Sequence, residues 1–230
     1  MKHEDSRGLV YTIRDLCRVC YTCVRECPVK AIKIVDGQAE VLQERCIACG
    51  NCTRVCKQGA KVYQRSADRV LDLLRSGQET YALLAPSYVA EFEGIGDGRL
   101  LAGMLISLGF KRVYEVGMGA DLVSRAYERL MAGYPDRGFI TSDCPAIVSF
   151  VEKYHPGLTG SLAPVVSPMV ATARYIRKLE GNAPKLVFIG PCVAKKGESD
   201  EVDEVITFEE LRELFSTQRI RPAQIEGFIF

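Results

Sequence analysis

Two runs of cysteine constrain the first sixty residues or so of this chain more than any other feature. The stretch CRVCYTCVRECP begins at residue 17 and CIACGNCTRVCK begins at residue 46, and both follow the spacing C-x2-C-x2-C-x3-C. Three cysteines at this spacing converge on one iron–sulfur cubane, whereas the fourth lies too far along the chain and ligates the other cubane. The repeated spacing therefore predicts two 4Fe–4S clusters that exchange their fourth ligands.

This rule divides the eight cysteines into two ligand sets. The first cluster is assigned to Cys17, Cys20, Cys23 and Cys56, and the second to Cys46, Cys49, Cys52 and Cys27. A pair of zinc knuckles is the alternative, but it gives no reason for a third and a fourth cysteine in each run. Between the runs, AIKIVDGQAEVL predicts a hairpin that turns at Asp36-Gly37. The segment resembles a bacterial two-cluster ferredoxin, with Lys57 in the place that Pro28 takes in the first run.

Charge and hydropathy exclude several classes of partner. The 230 residues include 30 basic and 29 acidic side chains, which argues against a nucleic-acid or membrane-surface partner. No apolar run approaches the eighteen or so residues that span a bilayer. The N-terminal stretch lacks the apolar segment of a secretory signal. We therefore expect a cytoplasmic protein without membrane contact, in which clustered cysteines are metal ligands rather than disulfides.

The rest of the chain alternates predicted strands with amphipathic helices, so we place a domain boundary between residues 1–64 and 65–230. Strands are predicted at 80–86, 111–117, 138–142 and 185–190, and helices at 67–77, 98–110, 120–133, 146–156, 167–181 and 207–215, the last capped by Thr207. This alternation predicts a fold of the α/β class, a mostly parallel sheet covered by helices, behind a small α+β ferredoxin domain.

Two further cysteines stand apart from the runs. Cys144 follows the predicted strand GFITS and Cys192 follows KLVFIG, so both loops should open on the same rim of the sheet. A solitary cysteine is commonly a packing residue of the core. The positions after strand ends and the Lys195-Lys196 pair beside Cys192 favour metal ligation instead, since nearby cations lower the pKa of a thiol.

The motifs around these two cysteines, TSDCP and PCVAKKGE, resemble in order and content the catalytic domain of the iron-only (FeFe) hydrogenases. That family carries T-S-C-C-P and then P-C-x-x-K-K-x-E, and the resemblance extends over residues 12–215. It implies a third 4Fe–4S or H-cluster-like site with Cys144 and Cys192 as two of four cubane ligands. It further implies that Lys195 donates to a cyanide of the diiron half, that Glu198 supports it in an ion pair, and that Ala85 and Pro86 line the diiron pocket.

Two departures from the family pattern shape the functional expectation. Asp143 stands where the family has the cysteine that passes protons, and a carboxylic acid is ordinarily much stronger than a thiol. The family's third motif, E-x-x-C-x-x-x-C, does not occur before Phe230. We therefore expect a site that is incomplete within these residues, to be completed by a C-terminal segment or a second subunit, and little or no hydrogen turnover.

Three functions are compared. The first is a divergent or sensory hydrogenase-family redox protein, with Asp143, Lys195 and Glu198 as candidate catalytic residues and ferredoxin-like redox proteins as partners. The second is a pure electron carrier whose hydrogenase-like domain serves as a docking or scaffold module. The third is a dinucleotide-binding reductase, suggested by EVGMGADL; it is disfavoured because Leu122 occupies the third glycine position of the fingerprint.

Overall fold

The computed structural model describes residues 8–95, 98–181 and 183–222. The chain forms two compact units. The first comprises the residues up to Gln64 together with Cys144–Leu162 and Cys192–Glu198, so it takes in more of the chain than residues 1–64. The second comprises Arg65–Asp143, Ala163–Pro191 and the residues from Ser199 onward. Within the described ranges, the helices are too short or too polar to cross a membrane.

The secondary structure follows the predicted order closely. In chain order the elements are β1 (Val10–Thr12), α1 (Thr22–Glu26), β2 (Ile32–Val35), β3 (Gln38–Val41), α2 (Asn51–Val55), β4 (Lys61–Tyr63), α3 (Ala67–Arg75), β5 (Thr80–Leu84), α4 (Tyr88–Glu91), α5 (Gly98–Leu108), β6 (Arg112–Glu115), α6 (Gly117–Gly133), α7 (Pro145–Tyr154), α8 (Pro168–Glu180), β7 (Lys185–Gly190), β8 (Glu204–Thr207) and α9 (Phe208–Thr217). Short 3-10 turns lie at Arg14–Leu16, Glu93–Ile95, Pro156–Ser161 and Val193–Gly197.

The first unit contains two small antiparallel ribbons. β1 pairs with β4, and β2 pairs with β3. The β2–β3 hairpin turns at Asp36 and Gly37, whose φ angles of 48° and 71° are both in the left-handed region. A two-residue turn with both central φ angles positive matches the right-handed twist of the strands and favours Asp-Gly, so the predicted hairpin is confirmed.

The second unit is built on a four-stranded parallel sheet in the order β6-β5-β7-β8. The central strand β5 pairs with β7 in a register that sets Leu83 opposite Phe188. Every residue of β5 is buried, as a parallel strand covered by helices on both faces requires. The α/β class and the parallel sheet expected from the sequence are thus confirmed.

One helix boundary was predicted from its capping residue. The Thr207 side chain accepts a hydrogen bond from the backbone N–H of Glu210, and the Glu210 carboxylate accepts one from the N–H of Thr207. This reciprocal pair satisfies two backbone donors that the first turn of a helix would leave unpaired. Glu210 is fully buried and also accepts from the N–H of Ser66 at 2.6 Å, so the cap ties α9 to the start of α3.

The prediction of a strand at GFITS, residues 138–142, was wrong. Only Ile140 makes a bridge there, where its carbonyl accepts from the N–H of Ala163 at 2.8 Å. Phe139 and Ile140 are half-buried and Thr141 is exposed, whereas a parallel strand needs a run buried on both faces. Cys144 therefore does not follow a strand of the sheet, and the argument that placed it at the rim fails. Strand β8, at the opposite edge from β6, was not predicted.

Candidate metal centres

The two cysteine runs have the same backbone conformation as well as the same spacing. Positive φ angles occur at Val19, Tyr21 and Lys30 in the first run and at Ala48, Gly50 and Gly59 in the second, each pair 29 residues apart. Such angles are strained for residues other than glycine, and strain of this kind gathers at functional sites. The left-handed residues bend each loop between successive cysteines, so that the loop curls around a centre instead of continuing as a helix.

The first predicted ligand set surrounds one cavity. Its wall contains all four side chains of that set, which are Cys17, Cys20, Cys23 and Cys56. Cys56 comes from the second run and follows α2, whereas the other three come from the first run. Within the described ranges no three histidine, cysteine or acidic side chains are arranged to hold a metal ion on their own. Four thiols around a cavity are the donor set that a 4Fe–4S cluster uses, so the residues present fit that group.

The second predicted set is also brought together. Burial raises the pKa of the Cys52 thiol to about 12, and the neighbouring thiols of Cys46, Cys49 and Cys27 raise it further, against the opposing charge of Lys61. The pKa of Cys46 is raised first by burial and then by Cys49 and Cys27. Thiols of this kind stay protonated until a metal displaces the proton, so cluster binding at this set should release protons.

The first set shows a parallel pattern in its electrostatics. Burial raises the pKa of the Cys23 thiol, and Cys56, Cys17 and Cys20 are the neighbouring thiols that add to the effect. The cysteines that influence one another are thus grouped as the exchanged-ligand rule groups them. The structure brings together Cys56 with the first run and Cys27 with the second.

Backbone amides also point at the sulfurs. The N–H of Ala31 donates to Cys27 Sγ at 3.2 Å, and the N–H of Ala48 donates to Cys46 Sγ at 3.4 Å. Amide donors of this kind stabilise the negative charge of thiolates and help to set the reduction potential of a cluster. Both lie in the second predicted set.

Cys144 and Cys192 begin two elements that contact each other. Cys144 precedes α7 and Cys192 precedes the Val193–Gly197 turn, and both have extended backbone before the chain coils. Cys144 is exposed and Cys192 is half-buried. The next residues inward, Ala146 and Ala194, are buried in one apolar cluster with Cys23, Cys27 and Ile47 of the cysteine-rich segment. The two isolated cysteines therefore share a compact unit with the cysteine runs.

The residues that the resemblance singled out beside Cys192 form a pair. Lys195 Nζ lies 2.5 Å from Glu198 Oε2, and the two side chains are only 12% and 13% exposed. A largely buried ion pair of this kind holds an ammonium group in a fixed position. Asp143 is half-buried, at the end of a loop held by Tyr127, whose hydroxyl accepts from the N–H of Ser142 at 2.9 Å.

Ala85 and Pro86 lie directly after β5. Ala85 is buried and Pro86 is exposed. A side chain in place of Gly190 would approach the Ala85 methyl group to 3.0 Å, so the ends of β5 and β7 are closely packed here. The second unit thus places both residues at the carboxyl end of its central strand, where parallel sheets form their sites.

The first unit also contains contacts that the sequence did not reveal. Lys153 Nζ donates to the carbonyl of Cys46 at 2.6 Å, and the Tyr154 hydroxyl lies 2.9 Å from the carbonyl of Arg45. A side chain in place of Gly50 would approach Val193 to 3.1 Å. The residues that follow Cys144 and Cys192 thus lie directly against the second cysteine run. No spacing signal marks these residues, because the contacts exist only in the folded chain.

Comparison with known proteins agrees with this description. Residues 78–228 match the family described as iron only hydrogenase large subunit, C-terminal domain, and residues 9–57 match the 4Fe-4S dicluster domain. The NADP-reducing hydrogenase subunit HndD of Solidesulfovibrio fructosivorans is 27% identical over 94% of this chain and 46% of its own length. The cytosolic Fe-S cluster assembly factor NAR1 of Candida albicans is 26% identical over 75% of this chain and 35% of its own length.

A solved structure gives the same picture. A variant of the [FeFe]-hydrogenase HydA1 from Chlamydomonas reinhardtii superposes with a TM-score of 0.58 at 25% identity, covering 72% of this chain and 50% of its own. The chain thus spans about half, or less, of the length of the relatives named here. With its dicluster domain for two 4Fe–4S clusters and its matched α/β unit, the chain belongs to the iron-only hydrogenase large-subunit family.

Proposed function

We propose that this chain passes electrons from the first 4Fe–4S cluster to the second and then to a third iron–sulfur site held in part by Cys144 and Cys192. The observation that carries the proposal is the packing of the second cysteine run against the segments that follow these two cysteines. Lys153 Nζ donates to the carbonyl of Cys46, a ligand predicted for the second cluster. The first set has no such contact among the hydrogen bonds of the described residues, so the second cluster is the one adjacent to the third site.

The third site would use the pair beside Cys192. The two thiolates are half of the ligand set of a cubane, and the Lys195 ammonium, fixed by Glu198, supplies positive charge for an anionic group there. A bound cluster at this place would supply a one-electron acceptor. Asp143 is the group adjacent to Cys144 that could hold or release a proton.

We assign the chain to a divergent branch with little or no hydrogen turnover. Proton transfer to a reacting centre needs a group within reach that donates at the working pH. The carboxyl group of Asp143 replaces the thiol of the family motif, and a carboxylic acid is ordinarily ionised at neutral pH. The relatives include both a hydrogenase subunit and cluster assembly factors, so the family fold supports roles other than hydrogen chemistry.

The electron carrier with a scaffold-like second unit is the competing function. It is favoured by the 44–46% identity to two ferredoxin-type relatives that is confined to about 60 residues of this chain. In either role, we propose redox proteins as partners and the cytoplasm as the location, where thiols stay reduced. A further segment or subunit would complete the third site.

Iron counting separates the two functions. After anaerobic reconstitution, we expect more than eight iron atoms per chain, about eight from two cubanes and the excess from the third site. The Cys144→Ala and Cys192→Ala variants should lose only the excess. A count of eight in the unaltered chain, with no change in either variant, would contradict the third site and favour the electron carrier.

A hydrogen assay tests the expected low turnover. With a strong one-electron donor, we expect evolution well below about one turnover per second, the low end of ordinary enzyme rates. The control is the Asp143→Cys variant, which restores the family motif and should not lower the rate. Turnover at or above one per second in the unaltered chain would contradict the assignment to a low-turnover branch.

A further inference from the structure

A buried lysine lies beside the clusters, and no ligand pattern accounts for it. Lys61 begins β4 and pairs in register with Thr12 of β1. Its side chain is buried, with 3% of the residue exposed. Its ammonium donates to the Ala39 carbonyl at 2.6 Å and to the Thr12 hydroxyl. Within the described part of the chain, the ion pairs do not include a carboxylate for Lys61, so its hydrogen bonds go to uncharged oxygens.

The surroundings of this ammonium group are cysteines from both sets. Lys61 lies in the wall of the cavity that the first ligand set surrounds. Burial lowers the pKa of Lys61, and the groups that oppose the shift are, in order, Cys23, Cys52, Cys17 and Cys56. Three of these belong to the first set and Cys52 belongs to the second. The negative charge nearest to this cation is therefore that of the cluster ligands.

The physical consequence concerns the ease of reduction. A cubane held by four thiolates is an anion, and its reduction adds a further negative charge. A positive charge held nearby in a medium of low dielectric constant stabilises the reduced form more than the oxidised form. Net charge, burial and hydrogen bonding are the levers by which a protein sets a cluster potential. Burial also protects the charge of Lys61 from the screening that weakens exposed charges.

We propose that Lys61 is the shared counter-charge of the two N-terminal clusters and raises the reduction potentials of both, the first cluster more than the second. It acts on the clusters through its charge, and it is not a ligand. This role requires only the two clusters of residues 9–57, and it does not depend on the third site of the proposed function. A failure of the third site and a failure of this role are therefore distinguishable.

Lys57 provides a matched control. It follows Cys56 directly but is exposed to solvent. Lys57→Met removes the same formal charge next to a ligand of the first cluster, where water and salt already screen it. The comparison of Lys61→Met with Lys57→Met thus isolates a buried charge from an exposed one.

The test is a redox titration followed by electron paramagnetic resonance on full-length chains that hold eight N-terminal irons. At the potential that half-reduces the first cluster in the unaltered chain, Lys61→Met should lower the ratio of reduced to oxidised cluster at least tenfold. For a one-electron couple this is about 59 mV. The second cluster should shift in the same direction by less, and Lys57→Met should change either ratio less than about twofold.

Unchanged potentials in Lys61→Met, within the same twofold range as Lys57→Met, would overturn the proposal. Should Lys61→Met lose its clusters, Lys61→Gln and Lys61→Arg decide the matter. A lowered ratio in an iron-loaded Lys61→Gln chain supports the role of the charge, and so does retention of both clusters by Lys61→Arg alone. Loss of the clusters in Lys61→Gln and Lys61→Arg as well would contradict it, because the side chain would then act through its shape.

Discussion

The cysteine-rich segment of residues 8–64 and the sheet-containing second unit are stabilised by different interactions. In the cysteine-rich segment both α-helices have five residues, and the buried apolar side chains other than cysteine are small or medium in size. They are Val10, Val29, Ala31, Ile32, Ala39, Ile47 and Ala60. The second unit buries much larger side chains, among them Tyr81, Phe110, Leu105, Met169 and Leu211.

The difference shows what each region needs in order to fold. A segment of about 60 residues is marginal on apolar burial alone, and metal binding commonly supplies the missing stability. Its backbone also includes left-handed residues such as Val19 and Ala48, whose strain must be offset by other interactions. The second unit has a continuous apolar core and needs no metal for that purpose. We therefore expect the two regions to respond oppositely to loss of iron and to loss of core packing.

Iron removal should have the largest effect. After anaerobic chelation, the amides of β2 and β3 should lose protection from hydrogen exchange, because the clusters that hold the cysteine loops are gone. The amides of β5 and β7 should keep their protection in the same sample. Mass spectrometry of the exchanged peptides measures both regions at once. Loss of protection in β5 together with β2 would show that the regions do not differ in this way.

A core truncation should produce the opposite pattern. Leu105 is fully buried in α5, so Leu105→Ala should lower the free energy of unfolding of the second unit by about 2–5 kcal/mol. The iron content should remain that of the unaltered chain. Leu179→Ala, at a helical leucine that is 59% exposed, is the control and should cost less than about 0.5 kcal/mol. Denaturant titration gives the energies, and equal losses in both variants would refute the assignment of the core.

A buried carboxylate gives a pH test confined to the second unit. Burial by itself raises the pKa of Asp203, but hydrogen bonds from the Leu186 N–H and the Lys185 ammonium, with the charge of Arg177, bring it below its ordinary 3.8. Because the pKa is depressed in the fold, Asp203 stabilises the unit above pH 4, and this stability is lost as the pH falls through the folded pKa.

Asp203→Asn should therefore flatten the decline of unfolding free energy between about pH 4 and pH 2, and should cost about 1.5–3 kcal/mol at pH 7. The exposed Asp200→Asn exchange is the control, with a change of less than about 0.5 kcal/mol at pH 7. Denaturation at a series of pH values measures both. An identical pH slope in Asp203→Asn and the unaltered chain would contradict the role of this carboxylate.

The smallest expected effect is at the cap of α9. Thr207→Ala removes the hydroxyl that accepts from the Glu210 N–H at 3.2 Å, and should cost about 1 kcal/mol. Thr217→Ala, in the exposed last turn of the same helix, should cost less. Thermal unfolding of the two variants makes the comparison, and a cost at Thr217 equal to that at Thr207 would count against the capping box.

The features predicted from the sequence are those with local physical causes. The doubled cysteine spacing, the Asp36-Gly37 turn and the Thr207 cap each depend on residues close together in the chain. The strand prediction at GFITS failed because a β-branched pair such as Ile140-Thr141 has strand propensity without a partner to bury it. Strand β8 was missed because Glu204–Thr207 is only four residues long and begins with an acid.

The site was predicted unevenly for the same reason. Spacing identified the cysteine sets, but nothing in the sequence distinguished Lys61 from the other lysines, or Lys153 and Tyr154 from ordinary residues of a helix. Their importance arises from burial and from contacts between segments over a hundred residues apart, such as Tyr154 with Arg45. Propensity and periodicity do not encode such contacts.

The central claim is that the two cysteine runs exchange their fourth ligands. Electron paramagnetic resonance of reduced single variants, with iron and zinc analysis, tests it most directly. We expect the unaltered chain to show two signals, Cys56→Ala and Cys17→Ala to lose the same one, and Cys27→Ala and Cys46→Ala to lose the other. Loss of the same signal in Cys56→Ala and Cys46→Ala, or zinc in place of iron after anaerobic reconstitution, would contradict the account.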